Sequence, residues 1–189
     1  MTLAREMALE SEYVMGTFAR KPVEFVEGHG MTLIDDAGNE YLDFLSGIGV
    51  CSLGHCHPSI VQAVSDQAAK LIHVSNYYYI EHRGEVAQLL SNMLNAYVDE
   101  PSPETWKTFF ANSGAEANEC AIKLARLYAR RRTEAAGKDA ELAPRLIVTL
   151  AKSFHGRTLA TLAATAQPAK QEAFQPLPAG FTATPINDV

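Results

Sequence analysis

At 189 residues, with 47% hydrophobic and 20% charged side chains, the chain is long enough to bury a core and has the balance of an ordinary globular protein. Its formal net charge of −6 argues against general affinity for nucleic acid or an anionic membrane, because a phosphate polyanion would be repelled by most of such a surface. No stretch reaches the roughly 18 apolar residues of a membrane span, and the opening MTLAREMALESEYVMG carries three glutamates where a signal peptide would carry an apolar run.

Residues 5–18 scatter Met7, Tyr13, Val14 and Phe18 among charges at loose helical spacing, the pattern of an N-terminal arm that docks on something larger. Between Val23 and Leu45 the pattern changes to short alternating runs, VEFVEGHG, MTLIDDAGN and EYLDFL, broken by Gly28, Gly30 and an Asp-Ala-Gly-Asn turn, which predicts a small β-meander. SGIGVCSLGHCHP then places glycines at 47, 49 and 54 without the strand-turn-helix setting of a dinucleotide fingerprint, so it reads as a tight loop. His55, Cys56 and His57 are consecutive and lack a partner pair at zinc-like spacing, which argues against a metal. Cys51, Cys56 and Cys120 are an odd set without framework spacing, as expected for reduced thiols in the cytoplasm. Pro58 begins a helix carrying Ile60, Val61, Val64, Ala68 and Leu71 on one face. VSNYYYIEH follows as a loop whose tyrosines suit an interface or pocket wall, then a helix over GEVAQLLSNMLNAY and a polar linker, VDEPSPE.

From Thr105 the order becomes βαβα, with strand WKTFF, helix EANECAIKLARLYARRR, strand RLIVTL and helix HGRTLATLAA. Two strands joined by such a helix are expected to lie parallel, with functional groups at their carboxyl ends, which directs attention to Ala111–Glu116 and Ala151–Arg157. Ser113, Gly114 and Ala115 are small residues opening a helix, where unpaired N–H groups and the positive dipole end form an anion site. Ser113 and Glu116 also spell a capping box, which would satisfy the same donors without a ligand. Glu119 and Lys123 are spaced as an i,i+4 pair, and Arg126, Arg130, Arg131 and Arg132 complement the helix's carboxyl end. At the second strand end, Phe154 offers a flat apolar face and Arg157 a planar fork that matches a carboxylate, parts that suit an amino acid beside a flat cofactor. The plainer reading makes Phe154 core and Arg157 a solvated arginine of the first helical turn.

SGIGVCSLGHCHP, HVSNYYY, FFANSGAEANECAIKLAR and SFHGRTLATLAAT, in that order, resemble the signatures of the class III aminotransferases, of the acetylornithine and ornithine type. The resemblance implies an α/β chain of the type I pyridoxal-phosphate-dependent transferase fold. Residues 1–75 would form the N-terminal arm and small-domain meander with its following helix, and 76–189 the start of the large parallel-sheet domain. It also implies that Ser113, Gly114 and Ala115 hold the phosphate of pyridoxal 5′-phosphate, that Phe154 stacks on its ring and that Arg157 takes a substrate carboxylate. Ornithine aminotransferases place a tyrosine where Ile48 stands; an apolar residue there suits an acyl-capped amine such as N-acetylornithine, with ornithine, 4-aminobutyrate and other ω-amino acids as neighbouring possibilities.

The implied reaction moves an amino group between N-acetylornithine and 2-oxoglutarate, a step of arginine biosynthesis, in an enzyme that is a homodimer. None of Lys21, Lys70, Lys107, Lys123, Lys138, Lys152 or Lys170 stands in a context resembling the family's Schiff-base lysine. The expectation is therefore a truncated or split enzyme, inactive by itself. The alternative is a non-catalytic remnant that keeps the turn at Gly114 as a phosphate or partner site.

Overall fold

The computed structural model describes residues 2–98 and 105–187, so the linker expected over 98–104 lies, from Asp99 onward, outside the described residues. The chain divides into two compact units between Ile80 and Glu81.

The first unit opens with helix α1, Leu3–Tyr13, whose Leu3 amide donates to Asp36 Oδ2, in a turn, at 2.9 Å. The meander follows as antiparallel strands β1, Phe25–His29, β2, Thr32–Asp35, and β3, Glu40–Leu42, in that spatial order. His29 pairs with Thr32 across a two-residue turn at Gly30 and Met31. The β2–β3 turn is organised by Asp35, whose carboxylate accepts from the amides of Ala37 and Asn39, the Asn39 side chain and the Tyr41 hydroxyl. These bonds, the Asn39 side chain foremost, hold the Asp35 carboxyl below the ordinary carboxylate range and push the Tyr41 phenol up. The glycine-rich stretch follows as an irregular turn, α2, Ser46–Gly49, and Pro58 is the first residue of helix α3, Pro58–Lys70.

In the second unit, helix α4, Arg83–Ala96, and helix α5, Gly114–Ala135, form where the 3.6-residue periodicity places them. The segment Trp106–Phe110, expected as a strand, forms no strand among the described residues. Trp106 is held by side chains of α4 instead: its amide donates to Ser91 Oγ at 3.2 Å and its indole N–H to Asn95 Oδ1 at 2.8 Å. The parallel pair is therefore a different one. Strand β4, Ile147–Leu150, pairs in parallel with strand β5, Phe181–Thr184, with Ile147 opposite Phe181 and Leu150 opposite Thr184.

Helices α6, Leu159–Ala164, and α7, Pro168–Gln171, carry the crossover between these strands. Gln171 Nε2 closes the end of α6 by donating to the carbonyls of Leu162 and Thr165, at 2.9 and 2.6 Å. The densest packing lies around α6, with Leu162, Ala164, Thr161 and Thr165 buried, and with Ile122 of α5 and Ala143 also in the core.

Candidate functional site

The turn that opens α5 is built by its sequence. Ser113 is extended, at φ −157° and ψ 163°, and caps the helix by accepting from the Glu116 amide at 3.1 Å. Glu116 reaches back one residue beyond the usual reciprocal partner and accepts from the Asn112 amide at 2.6 Å. The capping reading is thus realised, yet two donors remain: the Gly114 and Ala115 N–H groups have no partner among the described residues. A side chain on Gly114 would meet nothing within 4 Å. Free amides at the positive end of a 22-residue helix, with open space before them, make a cradle that fits a phosphate group.

The second segment, Ser153–Thr158, leaves β4 through a tight turn in which the Ser153 amide donates to the Leu150 carbonyl at 3.1 Å. Phe154 is not core. It is 56% exposed, and Arg157 Cζ and Lys170 Nζ lie 5.7 and 5.4 Å from its ring centroid, so cations already associate with this ring. Arg157 belongs to the loop and not to the first helical turn, since α6 begins at Leu159. Within the same loop Ser153 Oγ and His155 Nε2 are buried without a hydrogen-bond partner among the described residues.

The two segments meet at a glycine. Gly156 has φ +134°, and a Cβ there would lie 2.7 Å from Ala115 Cβ and 2.6 Å from Thr161 Oγ1. Its backbone therefore rests directly on the second residue of α5. Ser113–Ala115 and Phe154–Arg157 consequently share one edge of the second unit. Asn118 donates to the His155 carbonyl at 2.8 Å, and Glu119 accepts from the Thr158 hydroxyl. The Glu119–Lys123 pair expected from spacing is not among the ion pairs of the described residues, because Glu119 is turned to this loop. Arg126 also has another task than balancing the helix dipole: it lies 5.4 Å over the Phe181 ring and donates to the Ala179 carbonyl at 3.3 Å, holding β5 to α5.

Ile48 belongs to the first unit, at the crest of α2, where Gly47, Ile48 and Gly49 all have positive φ, at 61°, 60° and 83°. Left-handed backbone is costly for a β-branched residue, and Ile48 is 86% exposed, so local burial does not explain it. The loop is held from below instead. Asp43 accepts from the Leu45 and Ser46 amides, both at 2.8 Å, and meets His55 Nε2 at 2.7 Å. His55 exchanges backbone hydrogen bonds with Gly30, and a Cβ on Gly54 would come within 2.8 Å of the Gly30 carbonyl oxygen. The His55 contact first, then the two amides, holds the Asp43 carboxyl below the ordinary carboxylate range.

Asn118, Glu119, Thr158 and Lys170 were not marked as site residues by sequence reasoning. For Asn118 a signal existed, since it follows Ala115 by three and so lies on the same helical face. Lys170 reaches Phe154 only through the crossover and left no local trace.

An α/β chain with free amides at a helix opening, joined to the loop after a parallel strand, is the class of protein that this architecture defines. Residues 17–189 match the model of class-III aminotransferases, and the chain belongs to that family. It is 47% identical over 177 residues to the acetylornithine aminotransferase of Nitrosomonas europaea, covering 94% of this chain and 41% of that protein. It is 48% identical to that of Synechocystis, covering 94% and 38%. A crystal structure of the ornithine aminotransferase from Toxoplasma gondii, with pyridoxal phosphate partially occupying its active site, matches with a TM-score of 0.81 at 28% identity, over 99% of this chain and 41% of that one. The chain thus spans about two fifths of the length of the relatives it matches. The family and the α/β transferase fold expected from the four signatures are those found.

Proposed function

We propose that this chain provides the phosphate-, ring- and carboxylate-binding edge of a pyridoxal-phosphate-dependent aminotransferase that uses N-acetylornithine, or a related ω-amino acid, and 2-oxoglutarate, in arginine biosynthesis. The observation that carries the reading is the seating of Gly156 on Ala115, which joins the free amides of the α5 turn to the loop bearing Phe154 and Arg157. Pyridoxal phosphate, when bound, supplies the electron sink that lets an amino group be exchanged for a carbonyl oxygen.

The chain's own residues bind and orient. The Gly114 and Ala115 amides, beside Ser113, donate to a phosphate at the helix's positive end. The Phe154 face lies against the heteroaromatic ring, and the Arg157 fork receives the α-carboxylate in bidentate fashion. Ile48 presents no hydrogen-bonding group to a substrate amine, which favours an acylated one; the names of the relatives at 47% and 48% identity support that choice. The enzyme works as a homodimer in this reading.

The second reading, a turn that only caps α5, is favoured by the bonds between Ser113 and Glu116 and between Glu116 and Asn112. Titration of the purified chain with pyridoxal phosphate separates the two, with acetylornithine turnover followed alone and after addition of a polypeptide corresponding to the remainder of a relative. Saturable binding abolished by Gly114→Asp, and turnover abolished by Arg157→Ala, are the results expected. A folded chain that binds no cofactor leaves only the cap.

A further inference from the structure

Ala115, Asn118, Glu119 and Ile122 fall at i, i+3, i+4 and i+7, one stripe of α5 turned towards the Ser153–Thr158 loop and α6. An apolar stripe would serve if packing were the whole task. Here its middle is polar, and both polar side chains reach the loop: Asn118 Nδ2 holds the His155 carbonyl at 2.8 Å, and Glu119 holds the Thr158 hydroxyl. The loop is pinned from its other side by α6. The His155 amide donates to Thr165 Oγ1 at 2.9 Å, Thr165 Oγ1 donates to the Thr161 carbonyl at 2.9 Å, and the Thr158 and Thr161 hydroxyls lie 2.7 Å apart. Thr161 and Thr165 are fully buried. His155 and Gly156 are thereby clamped between two helices, and Phe154 and Arg157 are the residues on either side of them.

We infer that Asn118, Glu119 and Thr158 are positioning residues that set the span between the anion cradle and the Phe154–Arg157 loop, so that both grips close on one ligand carrying a phosphate and an aromatic ring. The inference rests on the cofactor reading above and deepens it. A fixed span makes the second contact intramolecular once the first has formed; a loop free to drift would forfeit that gain although every contacting group remained.

The test is binding to the intact chain of three probes without an aldehyde: inorganic phosphate, pyridoxine, and pyridoxine 5′-phosphate. The association constant of the joined probe, divided by the product of those of its halves, is the effective concentration that the clamp provides. Asn118→Ala and Thr158→Val are expected to lower it by about tenfold or more while each half binds within about twofold of wild type; Thr158→Ser, which keeps the hydroxyl, is expected to restore it. Thermal melts show which variants fold, and the two Thr158 variants suffice if Asn118→Ala does not.

Folded Asn118→Ala and Thr158→Val variants with unchanged effective concentration overturn the positioning role and leave the cofactor reading in place. A Thr158→Ser variant as impaired as Thr158→Val overturns it as well. A wild-type chain that binds pyridoxine 5′-phosphate no better than inorganic phosphate overturns both.

Discussion

A methyl group on Gly156 would collide with Ala115 and Thr161 while forcing a side chain into φ +134°. Positive-φ strain and overpacking together set the cost of Gly156→Ala at about 2–4 kcal/mol, to be read from the midpoint of urea unfolding. Gly114→Ala, with open space around it, should change stability by less than about 0.5 kcal/mol; under the proposed function it should also weaken phosphate binding, because its methyl stands before the free amides. Asp43 and Asp35 carry a pH signature. A carboxyl held below its unfolded-state pKa adds stability that is complete above the unfolded value and is lost as pH falls through the folded one. The urea midpoint should therefore decline as pH is lowered from about 4, and Asp43→Asn should flatten part of that decline.

At the scale of elements, α5 organises the second unit. Its N-cap is Ser113, so Ser113→Ala should cost about 1 kcal/mol of stability, measured by the same unfolding experiment. Farther along the helix Arg126 clasps β5 through Ala179 and Phe181. Truncation by Arg126→Ala is expected to accelerate hydrogen exchange of the Phe181–Thr184 amides more than that of α6, whose end is closed independently by Gln171. Helix periodicity was readable because each helix writes its own pattern. The strands were harder: Trp106–Phe110 has the composition of a strand but no ladder partner among the described residues, while FTAT, short and half polar, is a strand because Ile147–Leu150 lies beside it.

For the whole molecule, apolar side chains outnumber what the chain covers. Ile60, Val61 and Val64 of α3, Leu89 and Met93 of α4, and Val148 and Leu150 of β4 are exposed. Surfaces of that extent associate. Sedimentation velocity on the 189-residue chain is expected to show concentration-dependent self-association, with hydrophobic-dye fluorescence that falls as assembly proceeds.

By itself the sequence determined the long helices α3, α4 and α5, the meander turns and the family, since periodicity, turn chemistry and four ordered motifs are local properties of the chain; the short helices α2 and α7 and the start of α6 at Leu159 were not legible in it. It also marked Ser113–Ala115, Phe154, Arg157 and Ile48 as residues to inspect. Tertiary structure alone decided which strand pairs with β4, that Glu119 turns from Lys123 to Thr158, and that Gly156 rests on Ala115. Each of these joins residues far apart in sequence, and the free energy of such a contact depends on a neighbour that no local pattern specifies.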